Sequence, residues 1–152
     1  LGFNLKNAGE KQALKNVKKL TGLYGRWDVI STNPTIVLDV AHNEDGIKQV
    51  VRQIELTEFH HLHIILGMVK DKEISRVLSL LPKEANYYFT RAQIPRALPE
   101  DLLLSFAESA GLDGTAYPDV NAALKVAMDR ASKEDLILVC GSVFIVGEVV
   151  PF

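Results

Sequence analysis

Several residues able to bind or activate a substrate stand at the ends of apolar runs in this 152-residue chain. Asp39 interrupts the run Ile36-Val-Leu-Asp-Val40, so its carboxylate must be hydrogen-bonded or solvated. Two roles are open to it: accepting from a ribose diol, as acids at strand ends do, or satisfying the amides of a turn. His42 and Asn43 follow directly, just ahead of a stretch with helical periodicity. Near a helix N-terminus the neutral imidazole is favoured, and it can orient an amine or carboxylate or simply pack the turn. Gly141-Ser142 separates two further apolar stretches. A serine there can cap a closing helix or turn, the commoner case, or bond a substrate carboxylate.

Other reactive types are less informative. His60, His61 and His63 cluster, but no carboxylate or cysteine joins them at a familiar zinc spacing. They read as surface histidines ahead of a strand, and no metal site is expected. The lone Cys140 sits in the apolar run Asp135-Leu-Ile-Leu-Val-Cys140 and reads as a small buried hydrophobe. One cysteine excludes a disulfide framework, which suits a reducing cytoplasm, the expected location. The chain has neither a Gly-x-x-x-x-Gly-Lys-Ser/Thr loop nor a Gly-x-Gly-x-x-Gly turn. Any nucleotide touching this domain must have its phosphates held elsewhere.

The elements that would position these residues follow from periodicity. Apolar runs at 35–40, 61–67, 85–90, 114–118 and 135–140 have strand length, and the second and fifth are nearly continuous Ile, Leu and Val. Such continuity belongs to strands covered on both faces. Between the runs the spacing becomes helical. Ile47, Val50, Val51 and Ile54 repeat at i, i+3, i+4 and i+7, as do Ile74, Val77, Leu78 and Leu81 before Pro82. Pro99-Glu100 opens a third helix that Gly111 closes, and Asp119 caps a fourth. Alternation of this kind predicts an α/β fold, a doubly wound, mostly parallel sheet of about six strands with helices on both faces, Rossmann-like. Residues 26–30 form an extra strand too close to the next for a crossover helix, so it is expected antiparallel at the edge.

In such sheets ligands bind at the carboxyl ends of the strands. That edge would gather Asp39, His42, Asn43, Gly67, Lys70, Asp71, Lys72, Thr90, Arg91, Gly141 and Ser142. A stretch over 9–20 reads as a short amphipathic helix with no preceding strand, and so as part of a neighbouring unit. Leu1 in place of methionine also hints at a fragment. The net charge of −2 and the absence of a long apolar run give no footprint for nucleic acid or membrane, and neither partner is expected.

At these residues the chain resembles the C-terminal domain of folylpolyglutamate synthase and dihydrofolate synthase, within the Mur ligase superfamily. The resemblance spans about residues 22–150. It is carried by Gly25-Arg26-Trp27, Leu38-Asp-Val-Ala-His-Asn43, Gly67-Met-Val-Lys-Asp-Lys-Glu73, Arg96-Ala97 and Cys140-Gly-Ser-Val-Phe144. Val40, Glu44 and Glu73 depart from the family's usual glycine, proline and aspartate. The resemblance implies an ATP-dependent amide ligase that joins glutamate to dihydropteroate or folate through an acyl phosphate. It implies that Arg26 and Asp39 contact ATP, the latter at the ribose, and that His42, Asn43 and Ser142 serve the amino-acid side, with His42 the catalytic candidate. Magnesium and the phosphate loop would belong to an N-terminal P-loop domain absent here, so the chain alone is expected to be inactive. On this view residues 1–21 are the last helix of that domain with a linker, and 22–152 are the glutamate ligase domain. A cell-wall Mur ligase shares the architecture, and a non-catalytic nucleotide-binding or interaction domain of this fold is a further alternative. His42 favours the folate branch.

Overall fold

The computed structural model describes residues 25–70 and 73–150. The helix expected over 9–20, the boundary at 21/22, and Asp71 and Lys72 lie outside them. Six strands form one sheet: β1 (Asp28–Ser31), β2 (Thr35–Leu38), β3 (Leu62–Gly67), β4 (Asn86–Thr90), β5 (Gly114–Ala116) and β6 (Leu136–Cys140). Their spatial order is β1-β2-β6-β3-β4-β5. The β1–β2 pair is antiparallel and every other pair is parallel. The expected mixed sheet with an antiparallel first strand is therefore present.

Among the described residues four helices connect these strands, α1 (Glu44–Glu55), α2 (Ile74–Leu80), α3 (Glu100–Ser109) and α4 (Val120–Arg130), and a fifth, α5 (Val143–Gly147), follows β6. Side chains alternate across a strand, so each strand feeds two cores. Val37, Ile64, Leu66, Phe89 and Leu138 pack with Ile47, Val50 and Ile54 of α1, Val77 and Leu78 of α2 and Leu103 of α3. On the opposite face Ile36, Ile65, Tyr88, Ile137 and Val139 pack with Val120, Ala123 and Leu124 of α4 and Ile145 of α5. Helices on both faces explain why β3 and β6 are buried at every position.

That burial overturns one expectation. His60 and His61 are exposed ahead of β3, but His63 lies within it and is only 3% exposed. A strand covered on both faces has no solvent side on which to place a histidine. His63 is instead satisfied internally, its Nε2 3.0 Å from Asp135 Oδ2 and its Nδ1 2.9 Å from the Tyr88 hydroxyl.

Candidate functional site

β2 ends at Leu38, and the next four residues turn across the carboxyl edge of the sheet. Asp39 is 6% exposed. Its Oδ1 accepts from the Ala41 amide and its Oδ2 from the Trp27 amide, each at 2.8 Å. Burial raises the carboxyl's pKa above the usual value, against the lowering effect of those two amide bonds and the nearby Arg26 charge. The turn-satisfying role is thus observed directly, and each oxygen keeps a lone pair for a further donor.

The Gly25–Trp27 turn is bent to reach this carboxylate. Gly25 has φ +81° and Trp27 has φ +44°, a left-handed conformation that is uncommon for a large side chain. The bend carries Arg26 over the carboxyl edge, where its Nη1 donates to Gln49 Oε1 on α1 at 3.2 Å. Arg26 and Asp39 line one cleft of about 440 Å³ with Trp27, Gln49, Val50 and Gln53. Gln49 and Gln53 escape a sequence reading, because glutamines four apart look like an ordinary solvated helix face.

His42, Asn43 and Ser142 do not line that cleft. His42 is exposed, with Nδ1 3.2 Å from the Val40 carbonyl oxygen. A carbonyl only accepts, so Nδ1 carries the proton and, in the neutral ring, Nε2 keeps its lone pair. Asn43 caps α1, its Oδ1 accepting from the Gly46 amide at 2.9 Å. Ser142 caps α5, its Oγ accepting from the Phe144 amide at 3.0 Å, and it is 3% exposed. Because β2 and β6 are neighbours, the two loops emerge side by side, tied by Gly141 N–H donating to Ala41 O at 2.9 Å. Removing the cap has a defined expected result. Ser142→Ala leaves the Phe144 amide unpaired and lowers stability by about 1 kcal/mol, read from urea unfolding, with faster hydrogen exchange at Phe144.

Elsewhere on this edge, Lys70 and Arg96 are brought together by a backbone bond between their loops, Lys70 N–H to Arg96 O at 2.9 Å. The Arg96 guanidinium lies 5.7 Å from the Phe144 ring centroid. Arg91 is held at 3.6 Å from Glu100. Thr90 is fully buried and its hydroxyl has no hydrogen-bond partner among the described residues. Cys140 is also fully buried, and desolvation together with the Asp39 charge pushes its thiol pKa well up, away from nucleophilic use. Among the described residues no group of three or more His, Cys, Asp or Glu side chains could hold a metal ion. No helix among them is long and apolar enough to cross a membrane.

A doubly wound α/β domain with an acid, a base and two capping residues along its carboxyl edge belongs to the large class of ligand-binding α/β domains. The profile of the Mur ligase glutamate ligase domain matches residues 25–143, and the chain belongs to that family. It is 36% identical over 127 residues to a probable bifunctional folylpolyglutamate synthase/dihydropteroate synthase of Haloferax volcanii, covering 82% of this chain and 15% of that protein. Escherichia coli FolC in complex with DHPP and ADP superposes with a TM-score of 0.73 at 30% identity, over 81% of this chain and 29% of that one. A bifunctional folylpolyglutamate synthase/dihydrofolate synthase with Mn, AMPPNP and L-glutamate bound gives a TM-score of 0.73 at 28% identity, over 83% and 30%. The chain therefore spans a third or less of these relatives.

Proposed function

We propose that this chain is the closing domain of an ATP-dependent ligase that joins glutamate to dihydropteroate or folate, and that it is not competent alone. The observation that carries the reading is the pairing of Arg26 and Asp39 on one cleft within a chain of the glutamate ligase family. The folate branch is favoured over the cell-wall branch by the relatives named above. Residues 22–152 would form the ligase domain, 1–21 would end the preceding P-loop domain, and the parent would work in the cytoplasm.

In this reading ATP supplies the phosphoryl group that activates the folate carboxylate as an acyl phosphate. The described residues offer no cluster for Mg2+, which the reading assigns to the missing domain. Asp39, fixed by two amides, would accept from the ribose hydroxyls, and Arg26 would contact ATP beside it. His42 would receive an ammonium proton of glutamate at Nε2, freeing the amine to attack the acyl carbon; the C–N bond forms and phosphate leaves. Ser142 and Asn43 would hold the amino acid through their remaining donors. Closure of the two domains would exclude water from the acyl phosphate.

The test is an ATP titration followed through backbone amide resonances, with Arg26→Ala and Asp39→Ala as variants. Arg26 is exposed, so its loss leaves the fold intact and guards against an effect of freeing the amides that Asp39 binds. Shifts centred on 25–43 in the wild type and weakened in both variants are expected. Shifts confined to another part of the sheet overturn the reading.

A further inference from the structure

We propose that the amino edge of the sheet, opposite the candidate site, carries a second ligand site, a pocket for the carboxylate of a small organic acid. It uses none of the residues of the Arg26–Asp39 cleft, so it stands independently of the ligase reading. Strand periodicity brings its parts together. His61 and His63, two apart at the start of β3, fall on one face, as do Asn86 and Tyr88 at the start of β4. The two strands are parallel neighbours with His63 opposite Asn86, so all four side chains share the α4 face. Helix α4 ends there at Arg130, whose guanidinium lies 5.8 Å from the Tyr88 ring centroid. With Asp135 these residues line a pocket of about 280 Å³.

The one acid of the pocket is already spent. Asp135 accepts from the Ser132 hydroxyl and amide, the His61 amide and His63 Nε2, and so turns its charge inward. His63 is held in turn between Asp135 and the Tyr88 hydroxyl. These two rings make a buried floor, His63 3% and Tyr88 1% exposed. Donors are what remain for a ligand. Arg130 is exposed and has no carboxylate within ion-pair distance among the described residues. The exposed Asn86 adds an amide donor. A planar guanidinium fork matches a carboxylate bidentately. Formally Arg130 and Asp135 cancel, which suits a singly charged planar group better than a phosphate dianion. The volume suits a small acid rather than a peptide strand. Arg130 also complements the carbonyl end of α4, a role that any cation would fill.

The test is a titration of this chain with glutarate, read from the backbone amides of His61, His63, Asn86 and Tyr88. Shifts that saturate in the millimolar range are expected, with none from the uncharged glutaramide. Arg130→Gln should weaken binding about tenfold. Arg130→Lys keeps the charge and the helix-end role but loses the fork, and should still weaken binding about threefold. Arg130 is exposed at a helix end, so both variants keep the fold. No shift at tens of millimolar, equal shifts with glutaramide, or unaltered affinity in Arg130→Gln overturns the assignment. Tighter binding of inorganic phosphate than of glutarate, with Arg130→Lys as good as wild type, makes this a point-charge anion site and overturns it too. So does an acidic tripeptide that binds where glutarate does not.

Discussion

Asp135→Ala is expected to lower the urea midpoint sharply, by an amount equivalent to about 3 kcal/mol at neutral pH. Asp135 is 4% exposed at the entrance to β6, on the edge of the sheet opposite the candidate site. Its Oδ1 accepts from the His61 amide at 3.1 Å and the Ser132 hydroxyl at 2.9 Å. Its Oδ2 accepts from the Ser132 amide and from His63 Nε2, each at 3.0 Å. One carboxylate thus joins the β6 turn to the start of β3, and through His63 reaches Tyr88 of β4. Deleting it strands a buried imidazole and two amides. Asp135→Asn keeps one acceptor and turns a donor toward other donors, so it recovers only part of the loss.

The same residue gives the domain an acid-side signature. Burial works against its charge, but the bonds from His63, Ser132 and the His61 amide outweigh it and hold the carboxyl well below the usual carboxylate range. A group with a depressed folded-state pKa stabilises fully above its unfolded value, near pH 4, and loses that contribution as pH falls through the lower folded value. Wild type and Asp135→Ala should therefore differ most at neutral pH and converge below about pH 4. A constant gap from neutral to acid pH in paired urea titrations would exclude a charge-dependent contribution.

Gly141→Ala is expected to cost as much or more, about 3 kcal/mol upward, and to disturb the candidate site. Gly141 has φ +112°, a region side chains avoid. A methyl group there would overlap the carbonyl oxygen of Gly67 and approach Leu66 Cδ1 to 2.8 Å. The carbonyl is backbone of the central β3, so relief requires β3 and β6 to part just where the Ser142 loop leaves the sheet. Gly111→Ala is the matched control. Gly111 has φ +81°, but a methyl there meets only the flexible end of Lys83 at 3.6 Å, so backbone strain alone operates. That variant should lose about 1 kcal/mol. Calorimetry on both would separate clash from strain, and equal losses would refute the close-approach argument.

These two residues also mark where a sequence reading runs out. Continuous Ile, Leu and Val in β3 and β6 announce strands buried on both faces, and the spacing of Ile47, Val50 and Ile54 announces the inner face of α1. The short connection after β1 is enough to require an antiparallel edge. All of that is local. The partnership of His63 with Asp135 joins residues 72 positions apart, and that of Arg26 with Gln49 joins residues 23 apart. The first exists only because β6 lies beside β3, a strand order that periodicity does not specify, and the second accompanies the backbone bend at residues 25–27. Of the candidate site, Asp39, His42, Asn43 and Ser142 are legible as polar residues at strand ends. Their division between a cleft and a neighbouring rim is not, because it depends on the backbone bend at Trp27.

β6 is the last strand among the described residues and lies between β2 and β3 in the sheet. During synthesis β2 and β3 therefore emerge with a gap where their shared neighbour belongs, and both flanks of that gap stay unpaired until residue 140 has left the ribosome. Closing the sheet is a long-range event that comes late and is slow relative to local helix formation. The nascent domain is a strand-edge hazard for most of its translation, and its dependence on chaperones should end abruptly with the arrival of β6.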